Sequence, residues 1–319
     1  MKAFVTGATG FVGSAVVRSL LRRGIEVKAL VRRSSDMRNI AGLDLEISYG
    51  DLLNEGDLTR ALRGCDIVYH VAAYYSTDEG ASQVMYEVNV RGTKAVMRAA
   101  LRVGVQRVIH TSTIGTIGQP EDGTLASEET PFNLWDTASH YVKSKYLAEA
   151  TALGMCEQGL PVVVVNPCAP VGPRDIKPSS TGQRILDYLN GRLPSFVPGG
   201  INFIAVHDVA EGEVLAAEKG RVGERYILGH KEGNLRLLDF LALMEQVSGI
   251  KPPRIGKRWL SIWPAMRGKL SDNVLSFKPK ALTCDPTKAI RELGLPQTPL
   301  SEAFTEAVAW FRDNGYIRR

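Results

Sequence analysis

The sequence is poor in the residues that build metal centres and disulfide frameworks, with only four cysteines and five histidines among its 319 residues. Cys65, Cys156, Cys168 and Cys284 show neither a pairing pattern nor metal-type spacing, and the histidines form no H-E-x-x-H cluster. No structural metal is expected, and a reducing cytoplasm is the expected setting. No stretch stays apolar for the ~18 residues a spanning helix needs. Met1-Lys2 runs straight into a strand-like segment, without the apolar stretch and small-residue cleavage pattern of a signal peptide. The protein is therefore expected to be neither exported nor membrane-spanning. Blocks of one charge are missing as well. The formal charge is +5, but acids and bases are interspersed, which leaves nucleic acid without support as a partner. No internal repeat or low-complexity tract occurs.

What is present is a chain that is 44% hydrophobic, long enough for a full core, and between one large domain and two ordinary ones in size. Short apolar runs at 3–6, 26–31, 45–49, 67–71, 107–111 and 161–165 read as six strands. Between them, 11–23, 55–63 and 83–103 carry helical spacing. This alternation predicts an α/β fold, a doubly wound parallel Rossmann sheet. Beyond Asn166-Pro167 prolines and glycines crowd and the rhythm is lost, which predicts a smaller α/β substrate-binding lobe. The expected division is 1–170 for the nucleotide-binding part and mainly 171–319 for the lobe. A strand at 203–206 leading into a helix capped near His207-Asp208 is expected to bring roughly 203–220 back to the first sheet. A helix over 304–310 closes the chain.

Three stretches carry chemistry. Gly7, Gly10 and Gly13 fall at the first strand-to-helix turn, where glycines let the backbone approach a pyrophosphate and the helix N-terminus favours its charge. The spacing is G-x-x-G-x-x-G rather than G-x-G-x-x-G. At the end of the second strand, where an acid commonly holds the ribose of NAD, stand Arg32 and Arg33. Guanidinium groups there suit the 2′-phosphate of NADP(H), with NAD(H) as the alternative. Asp51 and Leu52 follow the third strand and are expected near the adenine. Finally, Tyr141 and Lys145 are four residues apart in a segment with no helix breaker before Gly154, so they share a face. An ammonium beside a phenol, together with a cationic cofactor ring, would lower the phenol's pKa and let it pass a proton near neutrality.

With these residues in view, the chain resembles the extended short-chain dehydrogenases/reductases. The motifs run in that family's order: Thr6-Gly7-Ala8-Thr9-Gly10-Phe11-Val12-Gly13, His70-Val71-Ala72-Ala73, Asn89-Val90-Arg91-Gly92-Thr93, Thr111-Ser112-Thr113, Tyr141 to Lys145, and Asn166-Pro167 through Gly172-Pro173. Within the family it is most similar to hopanoid-associated sugar epimerases and dihydroflavonol-4-reductase-like proteins, through the run 113–118 and the closing Glu292-Leu293-Gly294-Leu295-Pro296 with Trp310-Phe311. The resemblance implies that Tyr141 is the general acid/base, that Lys145 tunes it and binds the nicotinamide ribose, and that Thr113 hydrogen-bonds the substrate oxygen. Ser112 is the alternative in that motif. It further implies that Thr9, Phe11 and Val12 of the glycine loop, Ala72, Ala73, Asn89, Thr111 and Pro167 line the cofactor. His140 reads as structural, and Arg174 and Asp175 as candidate polar contacts to substrate.

Two tryptophans flanked by bases at 257–267 fit either a pocket wall or a peripheral membrane contact, the latter in keeping with a lipid-linked substrate. The exposed faces of the long helices would also suit a homodimer. Three functions remain open at this point: a reductase or dehydrogenase on a secondary alcohol or ketone, a sugar epimerase with tightly held NAD(P), and a cofactor-sensing protein without catalysis.

Overall fold

The computed structural model describes residues 1–76, 78–253 and 281–317; the 257–267 segment lies outside the described residues. Seven parallel strands form the main sheet: β1 (Lys2–Thr6), β2 (Glu26–Val31), β3 (Glu46–Tyr49), β4 (Ile67–His70), β5 (Arg107–Thr111), β6 (Val162–Pro167) and β9 (Arg225–Leu228), in the order β3-β2-β1-β4-β5-β6-β9. The direction of winding reverses between β1 and β4, the place where a doubly wound sheet opens a crevice at its carboxyl edge. β6 is buried along its whole length, as a central parallel strand covered on both faces should be.

Residue alternation along the strands separates two cores. Val5, Ile109, Val163 and Val165 face α1 (Phe11–Arg22) and α7 (Val206–Lys219). Phe4, Val68, Val108, Val162 and Val164 face α2 (Glu55–Leu62), α4 (Gly92–Val103) and α5 (His140–Gly154). A second sheet, β10 (Asn234–Leu235), β8 (Ile201–Ala205) and β7 (Ala169–Val171), packs with α6 (Ser180–Leu189), α8 (Leu237–Ser248) and α10 (Leu300–Asp313) around Phe203, Phe240, Phe304 and Phe311. α9 (Thr287–Leu293) buries Ala289 and Leu293 against the main core.

Several expectations are revised. The main sheet has a seventh strand, because Arg225–Leu228 pairs in parallel with β6. The strand at 201–205 joins the second sheet, and the return to the first is made by α7, which packs on α1, and by β9. That helix begins at Val206 without a side-chain cap. Asp208 instead accepts from the Thr298 backbone nitrogen at 2.7 Å and its hydroxyl at 2.9 Å, tying the helix to the C-terminal segment. The long helix expected over 83–103 is interrupted: α3 (Ser82–Tyr86) passes through a π-helical turn over Glu87–Arg91 before α4 begins. Such turns re-aim a side chain within a continuous helix, and Asn89 lies at the centre of this one.

Candidate active site

The glycine loop is packed backbone on backbone. Gly7 has a φ of 74°, and a Cβ there would meet the Ala72 nitrogen at 2.7 Å; a Cβ on Gly13 would fall 2.1 Å from the Gly7 carbonyl oxygen. Side chains are thus excluded where β1 turns into α1 against the exit of β4, and the helix N-terminus opens at the carboxyl edge of the sheet. Thr9, Gly10, Phe11 and Val12 form the exposed or half-buried rim of that turn. Thr6 holds the floor, its hydroxyl accepting from Ala72 N at 3.2 Å and pairing with His70 Nδ1 at 2.8 Å. This cradle fits a dinucleotide's pyrophosphate.

The flanking residues divide. Arg32 is exposed and has no side-chain partner among the described residues, whereas Arg33 lies over the Tyr49 ring at 5.1 Å. Asp51 is exposed and accepts from Leu53 N at 2.8 Å, and Leu52 packs against the second core beside Gly92. Ala72 and Ala73 leave β4 at the crevice. Asn89 is buried and clamps the same loop: its Oδ1 accepts from Tyr74 N at 2.7 Å, and its Nδ2 donates to Tyr74 O at 3.0 Å and to Ser144 Oγ at 2.9 Å. Ser144 in turn donates to the Tyr141 carbonyl at 2.8 Å, so the π-helical turn braces the first turn of α5. Pro167 is buried at the end of β6.

Ser139 caps α5 by accepting from Val142 N, and the helix carries Tyr141 and Lys145 over the carboxyl ends of β5 and β6. Lys145 is 2% exposed, and its ammonium donates to the Thr111 carbonyl at 2.7 Å. Burial pulls its pKa down to about 8, with Glu149 and Glu213 opposing the fall. Tyr141 lies one turn before Lys145 on the same face of α5. Burial, with Tyr75 second, pushes its phenol up to about 12. With the ammonium directed at a backbone carbonyl, nothing among the described residues offsets the loss of water at the phenol. Thr113 accepts from Gly115 N at 3.2 Å, which leaves its own proton to donate, and it is half-buried; Ser112 is buried against Thr116 Oγ1 at 3.3 Å.

Beneath Lys145 is a buried polar layer that sequence reasoning missed. Glu213 of α7 is fully buried and accepts from Thr111 Oγ1 at 3.0 Å, while its other oxygen has no partner among the described residues. Burial raises its pKa to about 8. Glu149, one turn beyond Lys145, accepts from Thr116 Oγ1 at 2.7 Å and Asn166 Nδ2 at 2.9 Å, and pairs with Arg225 at 3.3 Å. On the face of the sheet that α4 and α5 cover, His70 and His110 lie with rings 5.3 Å apart, both pushed toward the neutral form by burial first and by Lys145 second. A helical glutamate was visible at 213, but its burial is a tertiary fact. Asp175 is also structural, accepting from Ser179 N at 2.9 Å and Ser179 Oγ at 2.7 Å below the start of α6. Arg174 is exposed, and its carbonyl accepts from Asn39. His140 pairs with Tyr86 at 3.3 Å, away from the pair on α5.

The sequence pattern of the NAD-dependent epimerase/dehydratase family matches residues 3–229. The chain belongs to that family. Among its relatives, a provisionally named dihydroflavonol 4-reductase of Synechocystis sp. is 38% identical over 99% of this chain and 96% of its own length. Sterol demethylase protein B of Methylococcus capsulatus is 36% identical over 99% of this chain and all of its own. Of solved structures, that of gox2253 superposes with a TM-score of 0.86 at 40% identity, covering 99% of both chains. The dTDP-glucose 4,6-dehydratase DesIV of Streptomyces venezuelae, solved with NAD bound, gives 0.81 at 26% identity over 100% of this chain and 99% of its own. The family assignment makes the protein an NAD(P)-dependent short-chain dehydrogenase/reductase enzyme with an extended Rossmann fold. Among the described residues no helix is long and apolar enough to cross a membrane.

Proposed function

We propose that the protein is an NADP(H)-dependent reductase or dehydrogenase acting at a secondary alcohol or ketone carbon. The observation that carries this reading is the end of β2, where Arg32 stands exposed and unpartnered among the described residues, in the position where an acid would favour NAD. The relative named for a dihydroflavonol reductase supports the same choice.

When bound, the nicotinamide gives or takes the hydride. The chain's own part is to hold the reacting carbon and manage one proton. In the reductive direction Tyr141 donates its phenolic proton to the carbonyl oxygen as charge develops there, and Thr113 donates a hydrogen bond to the same oxygen. Thr113 takes this role rather than Ser112, whose hydroxyl is turned inward to Thr116. Lys145, fixed by the Thr111 carbonyl, supplies the positive charge that stabilises the phenolate left behind. Asn89 positions the loop over the site through Tyr74 and the helix through Ser144.

A second reading, a sugar epimerase, draws on the solved nucleoside-diphosphate-sugar epimerase of Pseudomonas aeruginosa, 28% identical with a TM-score of 0.81. It uses the same tyrosine and lysine. The purified protein separates the two: a reductase consumes NADPH in step with product, whereas tightly held cofactor without net consumption would leave the epimerase. Tyr141→Phe should keep NADP(H) binding and lose turnover; unchanged turnover would remove Tyr141 from the mechanism.

A further inference from the structure

The segment leaving β2 and the second-sheet lobe meet over a small cavity beside the glycine loop. It has a volume of about 230 Å³, and its walls include Arg38, Asn39, Arg174, Trp310 and Tyr316. Asn39 is 2% exposed, and its Nδ2 donates to Thr9 O in the glycine loop and to Arg174 O, each at 3.1 Å. The cavity is thus one side chain away from the pyrophosphate cradle. Arg38 and Asn39 follow β2, which flanks β1 on the side away from β5 and Tyr141, so this is the adenosine end of the crevice. Arg174, between β7 and α6, is the one non-glycine residue among the described residues with a left-handed backbone, at φ 75°. An arginine is strained where a glycine would sit freely. Two bonds hold it there: Asn39 to the Arg174 carbonyl, and the Tyr316 hydroxyl to the Ile176 carbonyl at 2.7 Å. Tyr316 rests in turn against Trp310 of α10, with ring centroids 5.3 Å apart.

None of the described residues lining the cavity is acidic, and the charges around it are mostly positive. Arg38 grips Asp36 at 2.6 and 3.0 Å, and Lys177 also acts on that carboxylate. Asp175, next to Arg174, is turned to Ser179. Arg18 of α1 is half-buried and donates to Ser14 O at 2.9 Å and Asn39 O at 2.7 Å. Burial pulls its pKa down to about 10, with Arg174 and then Arg22 adding to the fall; Arg22 is itself paired with Glu211 at 3.2 Å. The Arg174 guanidinium is exposed and makes no hydrogen bond or ion pair among the described residues. Pockets that enclose a whole small molecule start near ~300 Å³, so this one suits a single group at the end of a longer ligand. Guanidinium forks match phosphate oxygens, and at the adenosine end of a nicotinamide dinucleotide only NADP(H) carries a phosphate monoester. We propose that this cavity receives the 2′-phosphate of NADP(H), and that Arg174, supplied by the second lobe, is a determinant of the preference for it over NAD(H). The inference rests on the NADP(H) reading and adds to Arg32 a cation from the other lobe. It also links cofactor choice to the position of that lobe: the 2′-phosphate ties the loop between β7 and α6 to the nucleotide-binding part, whereas NAD(H) leaves that loop to Asn39 and Tyr316.

The test uses the full-length protein, with NADPH and NADH titrated separately by cofactor fluorescence. The wild type should bind NADPH at least tenfold more tightly than NADH. Arg174→Gly removes the guanidinium and relieves the left-handed backbone. Its melting temperature should therefore hold or rise while the preference for NADPH falls about tenfold and NADH affinity stays within about twofold. Arg174→Asn, a residue also tolerated in that conformation, gives the same reading should glycine loosen the loop, and Arg174→Lys should retain part of the preference. Hydrogen exchange supplies a readout apart from affinity: NADPH, and not NADH, should slow exchange over residues 172–180. A preference that survives both Arg174→Gly and Arg174→Asn but falls on Arg32→Ala would overturn the inference and leave the NADP(H) reading standing. Equal affinity for the two cofactors in the wild type, or tighter binding of NADH, would overturn both. Slowed exchange with inorganic phosphate alone, and no difference between the cofactors, would make the cavity a site for free phosphate and overturn the assignment to the 2′-phosphate.

Discussion

The Lys145 ammonium and the Thr111 carbonyl oxygen are 2.7 Å apart, so the catalytic candidate on α5 is anchored to the backbone of β5 rather than to any side chain. Replacing the side chain at 111 cannot release it. The anchor also fixes the height of the ammonium over the sheet edge, the height at which it would meet a bound ribose and the phenol of Tyr141.

Lys145→Met should lower kcat by about 100-fold or more, the usual range for losing a tuned proton-transfer group. Stability should hold or rise near neutrality. Because burial depresses this lysine to about 8, the unfolded chain binds its proton between that value and 10.5 while the folded protein does not. Its contribution is therefore unfavourable at lower pH and improves as pH rises through that window. A steady-state assay beside a melting curve reads both, and a collapse of the melting temperature would contradict the account.

Glu213 has the opposite sign. Its pKa is raised from 4.5 to about 8, so across that window the folded protein keeps a proton the unfolded chain releases, and its contribution to stability falls as pH rises. Glu213→Gln retains an acceptor for Thr111 Oγ1 and has no such titration. The variant should gain several degrees on the wild type in melting temperature between pH 5 and pH 9. Loss of the counter-charge should also move the alkaline limb of the kcat/KM profile to lower pH. Parallel melting curves with pH, or an unmoved limb, would mean that Glu213 is an inert filler.

Arg32→Ala should weaken NADPH about 10- to 100-fold, as expected for charge-assisted hydrogen bonds to a phosphate, and leave NADH nearly unchanged. Arg33→Ala should do less, because its guanidinium already rests on Tyr49. Cofactor titration by fluorescence reads the selectivity directly. Equal losses for both cofactors would remove the 2′-phosphate from the account.

Gly13→Ala should cost about 2 kcal/mol or more, since the added methyl group meets backbone rather than a movable side chain, and should abolish measurable cofactor affinity. Gly104→Ala, where a Cβ meets nothing within 4 Å, should cost only the ~1 kcal/mol of a left-handed residue and leave cofactor binding intact. Near-native cofactor binding by Gly13→Ala would show that the loop can open.

Much of the first sheet was legible in the sequence, because its strands are short apolar runs separated by helical spacing. Glu26–Val31 and Arg107–Thr111 run between the residues that periodicity marks. The seventh strand escaped because Arg225–Leu228 comes only after the chain has left the main sheet at Pro167, built the second sheet's β7 and β8 and returned through α7, so the regular strand-helix rhythm no longer marks it. The π-helical turn escaped for a different reason: one extra residue per turn leaves no mark in composition, and only the hydrogen bonds of Asn89 to Tyr74 and Ser144 reveal why it is there. For the site, the sequence spacing that brought Tyr141 and Lys145 onto one helix was enough to nominate them. The neighbours that set their protonation, Glu213 from α7 and Tyr75 from the loop after β4, come from distant parts of the chain and required the fold.

The late return of the chain through α7 and β9 has a consequence for how the protein is made. By the time the ribosome has released residue 167, six strands are available to pair, yet the face of Ile109, Val163 and Val165 still awaits α7, some fifty residues later in the sequence, and β6 is an open edge until Arg225–Leu228 arrives. During those seconds of synthesis the nascent sheet carries an uncovered apolar face and an unpaired strand, the two features that most invite association with other chains. Truncations ending between 170 and 220 should therefore be recovered bound to chaperones or in inclusion bodies, and the protein's yield in the cell should depend more on that interval than on the stability of the finished fold.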